Sequence, residues 1–220
     1  MGQAATRQDR QELVRIKSGL GRRTLVLVGL PGAGKSTVGK RLAARLGLKF
    51  ADADGEIERA AGMSIAEIFQ RDGEPAFRAG ERRVIARLLR KGPQVLATGG
   101  GAFMAEETRE AIAENGISIW LDAPSSVLLA RVARRSHRPL FNGVDPGAKL
   151  MELRAARDPV FALAKVKVTS SSGPHDRVVD DIVRALAELV AGENADPAHT
   201  TATDPSHAAP TDGAMKTDHP

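Results

Sequence analysis

The chain contains no cysteine, and Phe, Trp and Tyr together make up only 3% of its 220 residues. Without cysteine, disulfides and thiolate metal sites are excluded. With so few rings, the core must be built from Leu, Val, Ile and Ala. No basic run is interleaved with aromatic residues, as binding to single-stranded nucleic acid would favour. No apolar stretch approaches the roughly 18 residues needed to span a membrane. Met1 to Arg10 is polar and lacks the apolar segment of a secretory signal. These absences predict a soluble, cytoplasmic protein with neither a nucleic-acid nor a membrane partner; a monomer is expected, though no feature of the sequence fixes the oligomeric state.

What is present suits one folded domain. Hydrophobic residues are 42% and charged residues 27%, close to globular norms and enough for a sizeable core. The net charge of +5 comes from 32 basic and 27 acidic residues. Several arginines stand beside chemical motifs, so this excess is read as serving anionic small molecules.

Three zones separate by composition. Residues 1–21 are polar and charged, with a short amphipathic helix expected over Arg10–Leu20. Residues 22–192 carry the periodic apolar pattern. Residues 193–220 have almost no large apolar side chain, cannot offset their ordering entropy and are expected to be a disordered tail. Within the middle zone, strand-like runs fall at Thr24–Gly29, Lys49–Ala51, Gln94–Ala97, Ile117–Leu121 and Val166–Thr169. Helical patterns lie between them, including a capping box at Ser64-Ile65-Ala66-Glu67, a helix from Pro75 to Arg90, and a last helix from Asp176 to Ala191. Strands separated by helices imply right-handed crossovers and a parallel sheet covered on both faces, an α/β fold.

The most informative segment is Gly29-Leu30-Pro31-Gly32-Ala33-Gly34-Lys35-Ser36-Thr37. It matches the phosphate-cradling P-loop, and it lies between an apolar strand and a helix, as that motif requires. Successive N–H groups there point at a phosphate. Lys35 reaches the β- and γ-phosphates of a nucleoside triphosphate, and the Ser36 hydroxyl ligates Mg²⁺. Asp52-Ala53-Asp54 follows the second strand, at the carboxyl edge of the sheet where ligands gather. If the chain is extended there, both carboxylates share a face. One then holds Mg²⁺ through water and the other accepts a hydroxyl proton. The alternative is that one of them N-caps a helix starting near Gly55.

Arg78 opens a helix against the dipole, and its planar fork suits a carboxylate. The competing reading is a surface pair with Glu81, of little worth. Thr98-Gly99-Gly100-Gly101-Ala102 follows the third strand, where glycines allow close backbone approach to a ligand. Arg134 to Phe141 is a basic run opening a Gly/Pro/Asn loop, expected to be a lid over about 135–147 that carries Arg138 onto the γ-phosphate. Arg157 is a second carboxylate-binding candidate.

Taken together, these segments resemble shikimate kinase over about residues 22–190: G-L-P-G-A-G-K-S-T at 29–37, D-A-D at 52–54, S-I-A-E-I-F and G-E-P-A-F-R within 64–78, T-G-G-G-A at 98–102 and R-P-L-F at 138–141. The resemblance implies a three-layer αβα fold of P-loop kinase type with a five-stranded parallel sheet and a lid. It implies transfer of the ATP γ-phosphate to the 3-hydroxyl of shikimate, in the route to aromatic amino acids. By the same resemblance, Gly32, Ala33, Gly34, Lys35, Ser36 and Thr37 bind ATP phosphates, with Ser36 and Asp52 serving Mg²⁺. Asp54 binds the shikimate hydroxyls and is the base, Arg78 and Arg157 clamp the carboxylate, Gly100 contacts substrate, and Arg138 is the lid arginine. The loop Ser170-Ser171-Ser172-Gly173-Pro174 departs from the pattern, lacking the Arg or Gln expected beside the adenine.

Overall fold

The computed structural model describes residues 7–133, 144–170 and 173–195. Five strands, β1 (Thr24–Val28), β2 (Lys49–Asp52), β3 (Gln94–Ala97), β4 (Gly116–Asp122) and β5 (Val166–Thr169), form one sheet in the order β2-β3-β1-β4-β5. All four pairings are parallel. The central strand β1 is buried at every position, as a strand covered on both faces must be. The edges differ. Lys49 on β2 is exposed, and β5 alternates buried and exposed residues. Lys167 of β5 lies over the Trp120 ring at 4.1 Å, so a charge blunts that edge.

Among the described residues eight helices connect or flank the strands: α1 (Arg7–Leu20), α2 (Lys35–Leu46), α3 (Ala53–Ala61), α4 (Ile65–Leu89), α5 (Glu106–Asn115), α6 (Ser125–Ala133), α7 (Pro146–Phe161) and α8 (His175–Ala195), with a 3-10 turn at Ala102–Met104. The Ser64 capping box forms, with Ser64 and Glu67 bonding reciprocally. Where sequence periodicity separates the capping box from a helix at Pro75, the structure runs one long element broken at Gly73, whose φ of 78° is non-helical. Pro75 then sits in the first turn beyond the break, where its missing N–H costs nothing.

The N-terminal helix is longer than expected and is part of the core. Its Ile16 and Leu20 are buried, and it lies against α8. Arg23 clamps the far end of α8 through a two-pronged bond to Glu193, 3.0 Å to Oε1 and 2.7 Å to Oε2. The expected tail lies outside the described residues beyond Ala195. The expected lid, with Arg138, lies outside them up to residue 143. Its last residues are the start of α7, where Asp145 accepts from the Ala148 N–H at 2.8 Å. No described helix is long and apolar enough to cross a membrane.

Candidate active site

The sheet order decides where chemistry gathers. β1 lies between β3 and β4, so the chain leaves it at the point where successive crossovers turn to opposite sides, the usual ligand crevice. The loop after β1 enters α2 through Gly34, whose φ of 95° is left-handed and which gives α2 no side-chain cap. The first N–H groups of that helix are thus left for an anion. Lys35 Nζ folds back onto the loop, donating to the carbonyls of Gly29 at 2.8 Å and Leu30 at 3.0 Å. The Ala33 N–H closes the turn onto the Leu30 carbonyl at 3.2 Å, and its side chain is buried.

A cleft of about 440 Å³ opens over this loop. Gly32, Gly34, Lys35, Ser36 and Thr37 form its floor, with Asp52, Asp54, Thr98, Gly99 and Gly100 at one end. The extended D-x-D expected from sequence is corrected here. Asp52 is extended, but Ala53 already begins α3, so the pair does not sit on one extended strand, although both residues line the cleft. Asp52 caps that helix, accepting from the Asp54 N–H at 3.2 Å, and its other oxygen accepts from Ser36 Oγ at 2.6 Å. The capping reading is thus met by Asp52, whose second oxygen lies on the phosphate-loop serine. Asp54 turns instead toward the glycine run.

The three glycines each answer to a different neighbour. A Cβ on Gly99 would lie 2.8 Å from Glu81 Oε1 and 3.0 Å from Asp54 Oδ1; on Gly100, 3.0 Å from Pro31 Cδ; on Gly101, 3.0 Å from both terminal nitrogens of Arg78. Close approach by side chains, rather than by a ligand alone, requires the triplet. Thr98 anchors it, donating from Oγ1 to the Leu27 carbonyl at 3.0 Å.

Arg78 and Arg157 stand at the rim beyond the triplet, not among the cleft walls. Arg157 Nη1 donates to the Gly100 carbonyl at 2.9 Å. Arg78 Nη1 donates to Glu81 Oε2 at 2.7 Å and its other edge to Glu74 Oε1 at 3.0 and 3.2 Å. The expected surface pair with Glu81 does form, but Glu81 is only 2% exposed. Burial pushes the Glu81 carboxyl up, and Asp54 adds to this while Arg78 opposes it. For Arg78 burial acts downward, but its glutamates outweigh it and the net shift is upward. Burial and the Arg78 charge pull Arg157 down.

Three contributors were missed from sequence. Arg154 fixes α7, bonding Asp122 Oδ1 at 2.9 Å, the Ala123 carbonyl at 2.7 Å and Asp158 Oδ2 at 2.9 Å, which sets Arg157 one turn on. Arg131 and His175 line the opposite end of the cleft from Asp54. Arg131 Nη1 reaches the Gly32 carbonyl at 3.3 Å and Ser170 Oγ at 3.3 Å. Only the periodicity of α6, which turns Leu128 and Val132 inward, hinted that Arg131 would face out beside the loop.

A P-loop on a five-stranded parallel sheet, with carboxylates at one end of its cleft, defines a small-molecule phosphotransferase. The family model described as shikimate kinase matches residues 31–187. The shikimate kinase of Bradyrhizobium diazoefficiens is 54% identical over 180 residues, covering 82% of this chain and 87% of that protein. That of Caulobacter vibrioides is 56% identical over 166 residues, covering 76% and 83%. A solved shikimate kinase from Acinetobacter baumannii, in complex with shikimate, superposes with a TM-score of 0.72 at 35% identity, covering 82% of this chain and 99% of that one. The chain belongs to the shikimate kinase family. A gluconokinase from Sinorhizobium meliloti, with a TM-score of 0.54 and 21% identity, shares the fold.

Proposed function

We propose that the chain transfers the γ-phosphoryl group of ATP to the 3-hydroxyl of shikimate, giving shikimate 3-phosphate and ADP on the route to aromatic amino acids. The observation that carries this is the two-ended cleft, with Lys35 and Ser36 on its floor, Asp54 beside Gly99, and Arg157 on the Gly100 carbonyl. An acid with several hydroxyls fits that end: Arg78 and Arg157 take the carboxylate, and Asp54 takes hydroxyls.

Phosphoryl transfer asks chiefly for in-line positioning and charge stabilisation. The N–H groups of Gly32 to Thr37 hold the phosphates, Ala33 by shaping the turn. Lys35 exchanges its two loop carbonyls for phosphate oxygens. Asp54 orients the acceptor hydroxyl and accepts its proton as the bond to phosphorus forms. Gly100 contributes backbone contact to substrate. Arg138, outside the described residues, is assigned to the transferring phosphoryl by its R-P-L-F context.

The residues fit Mg²⁺. Ser36 Oγ and Asp52 Oδ2 are hard oxygen donors already 2.6 Å apart. Mg²⁺ keeps several waters and takes phosphate oxygens beside one or two protein ligands, so two such donors are enough. When bound, the ion neutralises charge on the β- and γ-phosphates. Every group named comes from one chain, so the reading needs only a monomer. It places the work in the cytoplasm.

The test is ADP release over a panel of hydroxy acids. Turnover with shikimate is expected. Turnover with gluconate and none with shikimate would overturn the reading.

A further inference from the structure

Arg78 is paired on two sides before any acceptor arrives. Its Nη1 donates to Glu81 Oε2 at 2.7 Å, and its Nε and Nη2 both donate to one oxygen of Glu74, at 3.2 and 3.0 Å. The Nε–Nη2 edge is one that a carboxylate takes with two parallel bonds. Glu74 therefore holds Arg78 where the carboxylate of the proposed acid would, and this inference rests on the proposed function.

The two glutamates differ in their freedom to leave. The side chain of Glu81 is 3% exposed and that of Glu74 is 62% exposed. Glu74 also follows Gly73, the break in α4 with φ 78° and ψ 172°, where a backbone without Cβ turns at little cost. An exposed pair of this kind is weak and readily exchanged. Its place matters more than its strength. Burial and the Arg78 charge pull Arg157 down, and among the carboxylates that oppose this Glu74 comes first, ahead of Glu81 and Glu152. The Glu74 charge thus reaches both arginines assigned to the acid group of the acceptor.

We propose that Glu74 is a placeholder: in the empty site its carboxylate occupies the Nε–Nη2 edge of Arg78, and the carboxylate of the acceptor displaces it there. The exchange replaces one charge-assisted pair by another, so Arg78 keeps an anionic partner throughout. A ligand that must first open such a contact binds more weakly by the worth of that contact. A placeholder therefore lowers acceptor affinity, whereas a residue that only braces Arg78 raises it. The two roles have opposite signs.

The test is titration of the full chain with shikimate by calorimetry, without nucleotide. Glu74→Ala is expected to tighten shikimate about three- to fivefold, the upper part of what an exposed ion pair is worth. Removing any negative charge near an anion also tightens it through the general field, so Glu152→Ala is the control. Glu152 likewise acts on Arg157, but it bonds Lys149, at 2.7 and 2.9 Å. This variant is expected to change shikimate binding by less than about twofold. Weaker or unchanged binding in Glu74→Ala overturns the proposal, and so does an equal gain in both variants. The proposed function fails separately, if the unaltered protein neither binds shikimate nor makes ADP from ATP in its presence.

Discussion

Arg78 and Glu81, three residues apart on α4, form a 2.7 Å ion pair in which the carboxylate side chain is 3% exposed and the guanidinium 31%. The buried partner is thus the anion. It holds one edge of the guanidinium, and the more exposed Glu74 holds the other. Glu81→Ala should raise the KM for shikimate by about tenfold and lower stability by less than the ~1–3 kcal/mol of a stranded buried group, because Arg78 keeps Glu74 and partial access to solvent. Steady-state kinetics and urea unfolding check both. An unchanged KM would mean that Arg78 needs no such backing.

Glu81 also sets a pH dependence. Its carboxyl is raised above 4.5 by burial and by Asp54 on α3, against Arg78 on its own helix and Arg157 on α7. The native state therefore binds its proton more tightly than the unfolded chain does. Its contribution to stability is full below the unfolded value and is lost as pH rises through the folded one. Glu81→Gln removes this loss, so the variant should gain relative to the unaltered protein as pH rises above 4.5. Urea midpoints at several pH values read the slope, and a slope of opposite sign would show that the arginines dominate.

Asp52 caps α3, and the proposed function also gives it to Mg²⁺; substitution can separate the two. Asparagine still caps a helix, whereas alanine forfeits about 0.5–2 kcal/mol. Asp52→Asn should keep the melting temperature while losing Mg²⁺-dependent turnover, and Asp52→Ala should lose both. If Asp52→Asn were fully active, Asp52 would be a cap alone.

Asp54→Asn should cut kcat by about 10²–10⁴, the usual worth of a positioned base, with ADP affinity unchanged because only the acceptor end is altered. Retained kcat would remove Asp54 from proton transfer.

Gly101→Ala would push a methyl to 3.0 Å from the Arg78 guanidinium. Shikimate KM should rise while ATP KM holds. Equal effects on both would indicate a broader collapse of the turn.

Most of the frame was legible because period and punctuation are local properties. The five apolar runs match the observed strands to within a residue or two, and Lys35 and Ser36 carry their chemistry in a contiguous motif. What was illegible depends on packing. Nothing local says that Glu81 is sealed beneath Gly99, so its pair with Arg78 reads as a surface contact. Asp52 and Asp54 read as neighbours on one face until Ala53 is seen to start a helix. Arg131 and His175 lie 44 positions apart and meet only because β4 and β5 are adjacent strands.

The acceptor end is drawn almost entirely from one stretch of sequence, from Asp54 through Arg78 to Gly101. Arg157 is the outsider: it arrives from beyond β4 and rests on the Gly100 carbonyl. A bound acid gripped by both arginines would therefore staple the late part of the chain to the early part. On the proposed function, exchanging the early stretch for one from another kinase would leave that staple with nothing to close on, so acceptor choice would not transplant as a single cassette.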